Sequence, residues 1–324
     1  MSEELLSIKD LTVSFPKHGG GKIQAVNDLS ISVKKNEILG IIGESGSGKS
    51  VTIKNIMRLI KSPPECIESG DIIFDGKSIF SMSENDMDNL RGKDVSMIFQ
   101  NPMSAFNPVL RIGRQIEESL EFHRPELPKK DRKKLVCEFL AEVGISHPER
   151  RINQYPHEFS GGMLQRAMIA SALIMTPKLV LADEPTTGLD VTIQAQILSL
   201  IKNLQSKYGM SVIWITHDLS LLAGFANRIA IMYAGHVVEE GSREDIYYNA
   251  LHPYTQGLLK SIPNINERKK LYSIEGVPPN PGALPPGCPF CERCPKAKAI
   301  CKKEYPKKKQ ISDNHSVSCF LYEE

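Results

Sequence analysis

The chain has 324 residues, enough for one large domain with room for a smaller appendage. Its 40 basic and 38 acidic residues leave a formal net charge of +2, which advertises no affinity for nucleic acid or a membrane surface. No uncharged apolar run is long enough for a bilayer span, since the longest candidate, LLAGFANRIAIMYAG, is interrupted by Arg228.

In chain order, MSEELLSIKD has no basic region followed by an apolar stretch, so the expectation is a cytosolic chain without a secretory signal. LLSIKDLTVSFP and LSISVKKNEI alternate apolar and polar residues and read as strands. The apolar run Ile38–Ile42 is another strand, and GESGSGKS follows it directly. The spacing G-x-x-x-x-G-K-S is a phosphate-binding pattern: glycines let successive backbone N–H groups point at one anion, and the next helix opens toward it. Gly43, Ser45, Gly46, Ser47, Gly48, Lys49, Ser50 and Val51 are therefore candidate nucleotide-binding residues, with Lys49 for the β- and γ-phosphates and Ser50 for Mg²⁺. SVTIKNIMRLIK supplies that helix, with Ile53, Ile56 and Ile60 on one face.

From about residue 101 to 176 the texture turns helical, and beta texture returns at LVLA, SVIWI and IAIM. Between the first two lies a helix ending at Gly209, whose apolar face is Ile193, Ile197, Leu200, Ile201 and Leu204. Strands alternating with helices predict an α/β fold, a parallel, two-sided sheet with a helical insertion. LVLADE ends a strand with Asp183, placed for Mg²⁺, and Glu184, placed to polarise water. Ser160, Gly161 and Gly162 precede the helix MLQRAMIASALI and make a second anion nest. One ATP cannot reach two distant nests in one subunit, so the second is expected to serve a neighbouring subunit.

Near residue 250 the composition shifts. Residues 251–324 hold ten of 21 prolines, five of seven cysteines, and twelve basic against seven acidic residues. Such a segment has little apolar content to fold on, and a metal staple would replace a core. The expected organisation is a nucleotide-binding domain over 1–250, with 101–176 mainly helical, and a small Cys-rich C-terminal extension over 251–324. Clustering of Cys288, Cys291, Cys294, Cys301 and Cys319 favours metal over disulfide in a cytosolic chain. By spacing alone, Cys288-x₂-Cys291-x₂-Cys294 looks like the ferredoxin run with a remote fourth ligand.

Taken together, GESGSGKS, the glutamine of FQNP (Gln100), FSGGM, LVLADEP, TGLD (Asp190) and ITHD (His217) resemble, in order and approximate spacing, the ATP-binding subunit of ATP-binding-cassette transporters. The departures are Phe159 and Met163 in place of the Leu and Gln of LSGGQ, and neither removes Ser160 or the backbone donors. The resemblance implies a P-loop NTPase cassette, a parallel-sheet core with an antiparallel β part and a helical insertion, in which Gln100 senses Mg²⁺ and the membrane partner. It also implies Asp190 at the dimer interface, His217 at the γ-phosphate and Phe15 stacked on adenine. The runs FQNPMSAFNP, TGLDVTIQ and HPYTQGLLKSIP resemble the oligopeptide, dipeptide and nickel import branch. That branch implies a [4Fe–4S] cluster on Cys288, Cys294, Cys301 and Cys319, with Cys291 as the alternative ligand; zinc is the alternative metal, since Cys₄ sites also suit it.

The function so implied is ATP hydrolysis by Lys49, Gln100, Glu184 and His217, driving peptide import from the cytoplasmic face of the membrane. Implied partners are two permease subunits, a second cassette (itself or a paralogue) and, indirectly, a solute-binding protein; no nucleic acid is expected. Nickel import, a non-transport ATPase of the same fold and an iron–sulfur redox sensor are the competing readings.

Overall fold

Among the described residues the strands run, in chain order, β1 (Glu4–Pro16), β2 (Lys22–Lys34), β3 (Ile38–Ile42), β4 (Cys66–Phe74), β5 (Lys77–Ser78), β6 (Val95–Ile98), β7 (Leu179–Asp183), β8 (Ser211–Thr216), β9 (Arg228–Tyr233), β10 (His236–Ser242), β11 (Lys308–Ser312) and β12 (His315–Ser318). They come from a computed structural model that describes residues 3–17, 19–60, 66–263 and 272–323. The chain forms two compact units, Met1–Ser81 with Ile215–Glu324, and Met82–Trp214.

In the first unit, β1 lies between β2 and β4, and β5 follows β4, in an antiparallel sheet. The alternation of LLSIKDLTVSFP is not one continuous strand face. The register slips between Ile8 and Leu11, and Asp10 has φ 50°. An extra residue there flips the pleat, so Leu6 and Ile8 on one side of the bulge and Leu11 and Val13 on the other all reach the core.

The same unit holds the strand order β11-β12-β10-β9-β3. β3 runs parallel to β9 and all five of its residues are buried, which explains its unbroken apolar sequence. Ala234 (φ 47°) and Gly235 (φ 87°) turn β9 into antiparallel β10 as a two-residue hairpin with both central residues left-handed. The C-terminal segment adds β12 and β11 beyond β10 and buries Phe290, Val317 and Phe320. Each such side chain contributes roughly 1.5–3 kcal/mol of burial, so the segment has apolar anchors of its own.

Arg228 opens β9 among buried carboxylates. Its Nε donates to Glu37 at 2.9 Å, its other nitrogens bond Glu240 and the Ser32 carbonyl, and Lys308 donates to Glu240 at 2.9 Å. Burial works against the guanidinium charge, but Glu37 and Glu240 outweigh it and hold the pKa above its ordinary value. Arg228→Ala removes the guanidinium from buried Glu37 and leaves Glu240 with Lys308 alone, and is expected to cost about 3–5 kcal/mol. Denaturant unfolding measures it, and a loss below about 1 kcal/mol would show that the network carries little.

In the second unit, β6 and β7 pair in parallel, from Val95↔Leu179 to Ile98↔Ala182. Helices Ile112–His123, Lys129–Glu142 and Gly161–Leu173 pack on one another through buried Ile112, Ile116, Leu120, Val136, Leu140 and Leu164. Helix Val191–Tyr208 ends where Gly209 takes φ 66° and donates its N–H to the Gln205 carbonyl. Its buried face is Ile197, Ile201 and Leu204, narrower than expected, since Ile193 and Leu200 are only half-buried.

The helix after the phosphate loop is also shorter than expected. It spans Lys49–Ile56, Arg58 turns left-handed, and Lys61 lies outside the described residues. Among the described residues no helix is long and apolar enough to cross a membrane.

Candidate nucleotide-binding site

The loop leaving β3 is shaped by what its glycines touch. A Cβ on Gly43 would sit 2.2 Å from the Met232 carbonyl oxygen, and one on Gly48 would sit 2.3 Å from that of Ala25. Gly48 also has φ 96°, so a side chain there is excluded both by contact and by backbone conformation. Lys49 and Ser50 then open the helix, whose first N–H groups have no intrahelical acceptor. Lys49 is 5% exposed, and its Nζ donates to the carbonyls of Gly43 (2.7 Å) and Glu44 (3.0 Å), spanning the loop. The hairpin residue Gly235 donates to the Ser47 carbonyl at 3.1 Å from below.

Ser47 gives the loop its clearest ligand signal. Its Oγ is buried without a hydrogen-bond partner among the described residues. Leaving such a hydroxyl unmade costs about 1–3 kcal/mol, a cost a phosphate oxygen would remove. Ser45 and Gly46 are exposed at the loop tip, and Ser50 and Val51 are half-buried. Phe15 is half-buried opposite Ile23 on β2, and His217 is exposed just after β8. All of these belong to the first unit.

Gln100, Ser160, Gly161, Gly162, Asp183, Glu184 and Asp190 belong to the second. β7 ends at buried Asp183, and Glu184 turns left-handed with φ 45°. A non-glycine residue in that region stores roughly 1–3 kcal/mol, held here by the neighbouring turn. The Thr187 N–H donates to the Glu184 carbonyl at 3.2 Å, and Thr187 Oγ1 to Glu184 Oε2 at 3.1 Å. Gln100 Nε2 reaches the same Oε2 at 3.5 Å, so the structure brings this predicted pair together. Asp190 caps helix Val191–Tyr208, accepting from the Ile193 N–H at 2.9 Å.

The serine-glycine nest differs in detail from the sequence expectation. Gly161 and Gly162 are the first residues of helix Gly161–Leu173 and do not precede it. Ser160 is its N-cap, accepting from the Met163 N–H at 3.3 Å, as serine at a helix start prefers. The backbone donors of both glycines still open outward by helix geometry, and a Cβ on Gly161 would meet nothing within 4 Å.

The five tail cysteines converge. Cys288, Cys291, Cys294, Cys301 and Cys319 line one cavity of about 20 Å³, closed by Phe290, Phe320 and His252. Burial pushes the Cys288 thiol up to about 12, and raises Cys291, Cys294 and Cys319 as well. Yet among the described residues no three His, Cys, Asp or Glu side chains are arranged to hold a metal ion. Cys288 and Cys291 are buried in this cavity wall, and Cys294, Cys301 and Cys319 are half-buried. The all-sulfur donor set is of the kind that iron–sulfur clusters or zinc use, and Cys291 stands among it on equal terms.

Sequence reasoning missed Glu44, Thr187, Tyr254 and Arg293. Glu44 is one of the unspecified positions of the loop pattern, and Arg293 reads as an ordinary charge between cysteines. Only HPYTQ hinted at Tyr254.

A glycine-shaped phosphate loop after a buried parallel strand, with a carboxylate pair ending another, defines a P-loop nucleotide-binding protein. Residues 26–187 match the family described as ABC transporter, and 238–301 match the oligopeptide/dipeptide transporter C-terminal region. The dipeptide transport ATP-binding protein DppD of Bacillus subtilis is 48% identical over 323 residues, 99% of this chain and 96% of that protein. The oligopeptide transport ATP-binding protein OppD of Escherichia coli is 42% identical over 320 residues, 98% of this chain and 94% of that protein. A solved dimeric ATP-binding cassette in a post-hydrolysis state, bound to ADP and Pi, is similar with TM-score 0.66 and 29% identity. It covers 74% of this chain and 99% of its own. The chain belongs to the ABC transporter family, as its motif order indicated, and its cassette is that of an ATPase.

Proposed function

We propose that this chain is the ATP-hydrolysing subunit of a peptide importer, acting peripherally at the cytoplasmic face of a membrane. Similarity to dipeptide and oligopeptide transport ATP-binding proteins along nearly the whole chain carries this reading. Two membrane subunits and a second cassette, identical or paralogous, complete the assembly, with a solute-binding protein delivering cargo.

ATP lies against the loop Gly43–Ser50, where Ser47 Oγ and the loop amides receive phosphate oxygens and Lys49 exchanges its carbonyl partners for phosphate. Ser50 in the first unit and Asp183 in the second each carry a hard oxygen of the kind Mg²⁺ takes, and the ion when bound would neutralise phosphate charge. Gln100 and Thr187 hold Glu184 Oε2, and Glu184 accepts the proton of the attacking water. Phe15 stacks on the base, and His217 faces the γ-phosphate. Ser160, Gly161, Gly162 and Asp190 face the nucleotide bound to the neighbouring cassette, so closing the pair completes each site. The tail thiols Cys288, Cys294, Cys301 and Cys319, with Cys291 as substitute, hold a [4Fe–4S] cluster or zinc as a structural staple. The extension 251–324 acts as an appendage to the cassette 1–250, whose segment 101–176 faces the membrane subunits.

The test is reconstitution of the chain with its membrane subunits, second cassette and binding protein in vesicles. ATP-dependent uptake of a dipeptide or oligopeptide is expected. Uptake of Ni²⁺ with no peptide uptake, or ATP turnover that never responds to the membrane subunits, would overturn the peptide assignment.

A further inference from the structure

The cysteine-rich segment reaches the phosphate loop. Arg293 sits between Cys291 and Cys294, with its side chain only 6% exposed. Its Nη1 donates to Glu44 Oε2 at 2.8 Å and to the Tyr233 hydroxyl at 3.1 Å. Its Nε and Nη2 donate to the carbonyls of Glu275 (3.0 Å) and Ile274 (3.3 Å). The guanidinium lies 5.8 Å from the ring centre of Tyr233 and 5.9 Å from that of Phe290. Tyr254, buried in helix Pro253–Lys260, accepts the backbone N–H of the same Glu44 at 3.1 Å. Tyr233, Tyr254 and Phe290 pack together with centroids 4.7–5.3 Å apart, so neither grip on Glu44 moves independently.

Glu44 is thus held at three points. Tyr254 holds its amide, Arg293 its carboxylate, and its carbonyl receives both Lys49 Nζ (3.0 Å) and the Ser47 N–H (3.2 Å). The anchor behind Tyr254 is also fixed. Glu239 accepts the N–H groups of Leu251 (2.7 Å) and His252 (2.9 Å) and bonds buried His315 at 2.8 Å.

We propose that Arg293 and Tyr254 are positioning residues for ATP binding, through which the C-terminal segment holds the phosphate loop open via Glu44. The proposal rests on the nucleotide-site reading and deepens it: the tail is part of the loop's support, and disturbing the cysteine segment loosens ATP binding. Preorganisation is the physical content, because a loop already fixed loses less freedom on binding.

The test titrates Mg-ATP onto the full-length chain by calorimetry and compares Arg293→Ala, Arg293→Lys, Tyr254→Phe, Glu44→Gln and the double variant Glu44→Gln/Arg293→Ala. Charge-assisted hydrogen bonds of this kind predict Kd raised about 5- to 50-fold in Arg293→Ala, with partial rescue in Arg293→Lys. Tyr254→Phe, which keeps the ring, is expected to raise Kd about 2- to 10-fold without lowering the thermal midpoint enough to unfold the tail. The double variant is expected to be no weaker than Arg293→Ala alone, because both changes cut one tie. Single variants binding within about twofold of the parent, or effects that simply add, would overturn the proposal. A parent chain that ignores Mg-ATP would instead overturn the nucleotide-site reading itself, so the two failures are distinct.

Discussion

Glu184→Gln is expected to lower ATP hydrolysis by about 10²–10⁴ while leaving Mg-ATP affinity within a few-fold of the parent. The substitution keeps the size of the side chain and removes the charge that draws a proton from water. It also keeps an acceptor for Thr187 Oγ1, which donates to Glu184 Oε2 at 3.1 Å, so the turn that imposes φ 45° on this residue survives. The barrier rises by about 3–5 kcal/mol with no matching loss of ground-state binding. Single-turnover hydrolysis and nucleotide titration on the same sample measure the two effects. Turnover within about tenfold of the parent would remove Glu184 from the role of base.

Thr187→Ala separates positioning from proton transfer at the same place. It leaves the carboxylate charged and removes one of the bonds that orient it. Any loss should therefore be smaller than that of Glu184→Gln and fall on kcat more than on KM.

What the sequence makes legible is what short-range chemistry dictates. Gly43 and Gly48 have to be glycine because carbonyls of Met232 and Ala25 crowd them, and the lysine and serine follow at fixed spacing, so the loop announces itself in eight letters. β3, β7 and β8 are legible because strands buried on both faces are apolar along their length, with polar residues only at the ends of β7 (Asp183) and β8 (Ser211, Thr216). The bulge at Asp10 is not, since alternation on each side of it looks like one strand until the pairing shows the slip. Ser160 is legible as a hydroxyl at a helix start, but its use as an N-cap depends on where the helix begins, which propensity places only to within a few residues.

The tie between Arg293 and Glu44 is the extreme case. It joins positions 249 apart, and nothing local in either segment requires the other. The thiols of the tail show the same limit in another form. Their spacing brings them to one cavity, but spacing cannot say whether neutral thiols or a thiolate cage will stand there.

Lys49→Ala is expected to act on the step before chemistry, raising the Kd for Mg-ATP by about 100-fold or more. Lys49 is a buried cation whose Nζ now satisfies the carbonyls of Gly43 and Glu44. When phosphate enters, the ammonium donates charge-assisted bonds worth about 1.5–3 kcal/mol each, and alanine supplies none. Alanine at the first turn costs no helix propensity, so helix Lys49–Ile56 should persist and the change should be confined to the loop. Lys49→Arg sharpens the test. It retains the charge but replaces a compact point donor by a longer planar fork that cannot repeat the two Nζ contacts in the same geometry, so affinity should fall in this variant as well. A pure long-range charge effect predicts that arginine restores binding, whereas a point donor held inside the loop predicts that it does not. Equilibrium titration of Mg-ATP at two salt concentrations decides between them, because screening weakens the long-range effect and leaves the buried contact nearly unchanged. Affinity unchanged in Lys49→Ala would contradict the assignment of this loop to the triphosphate.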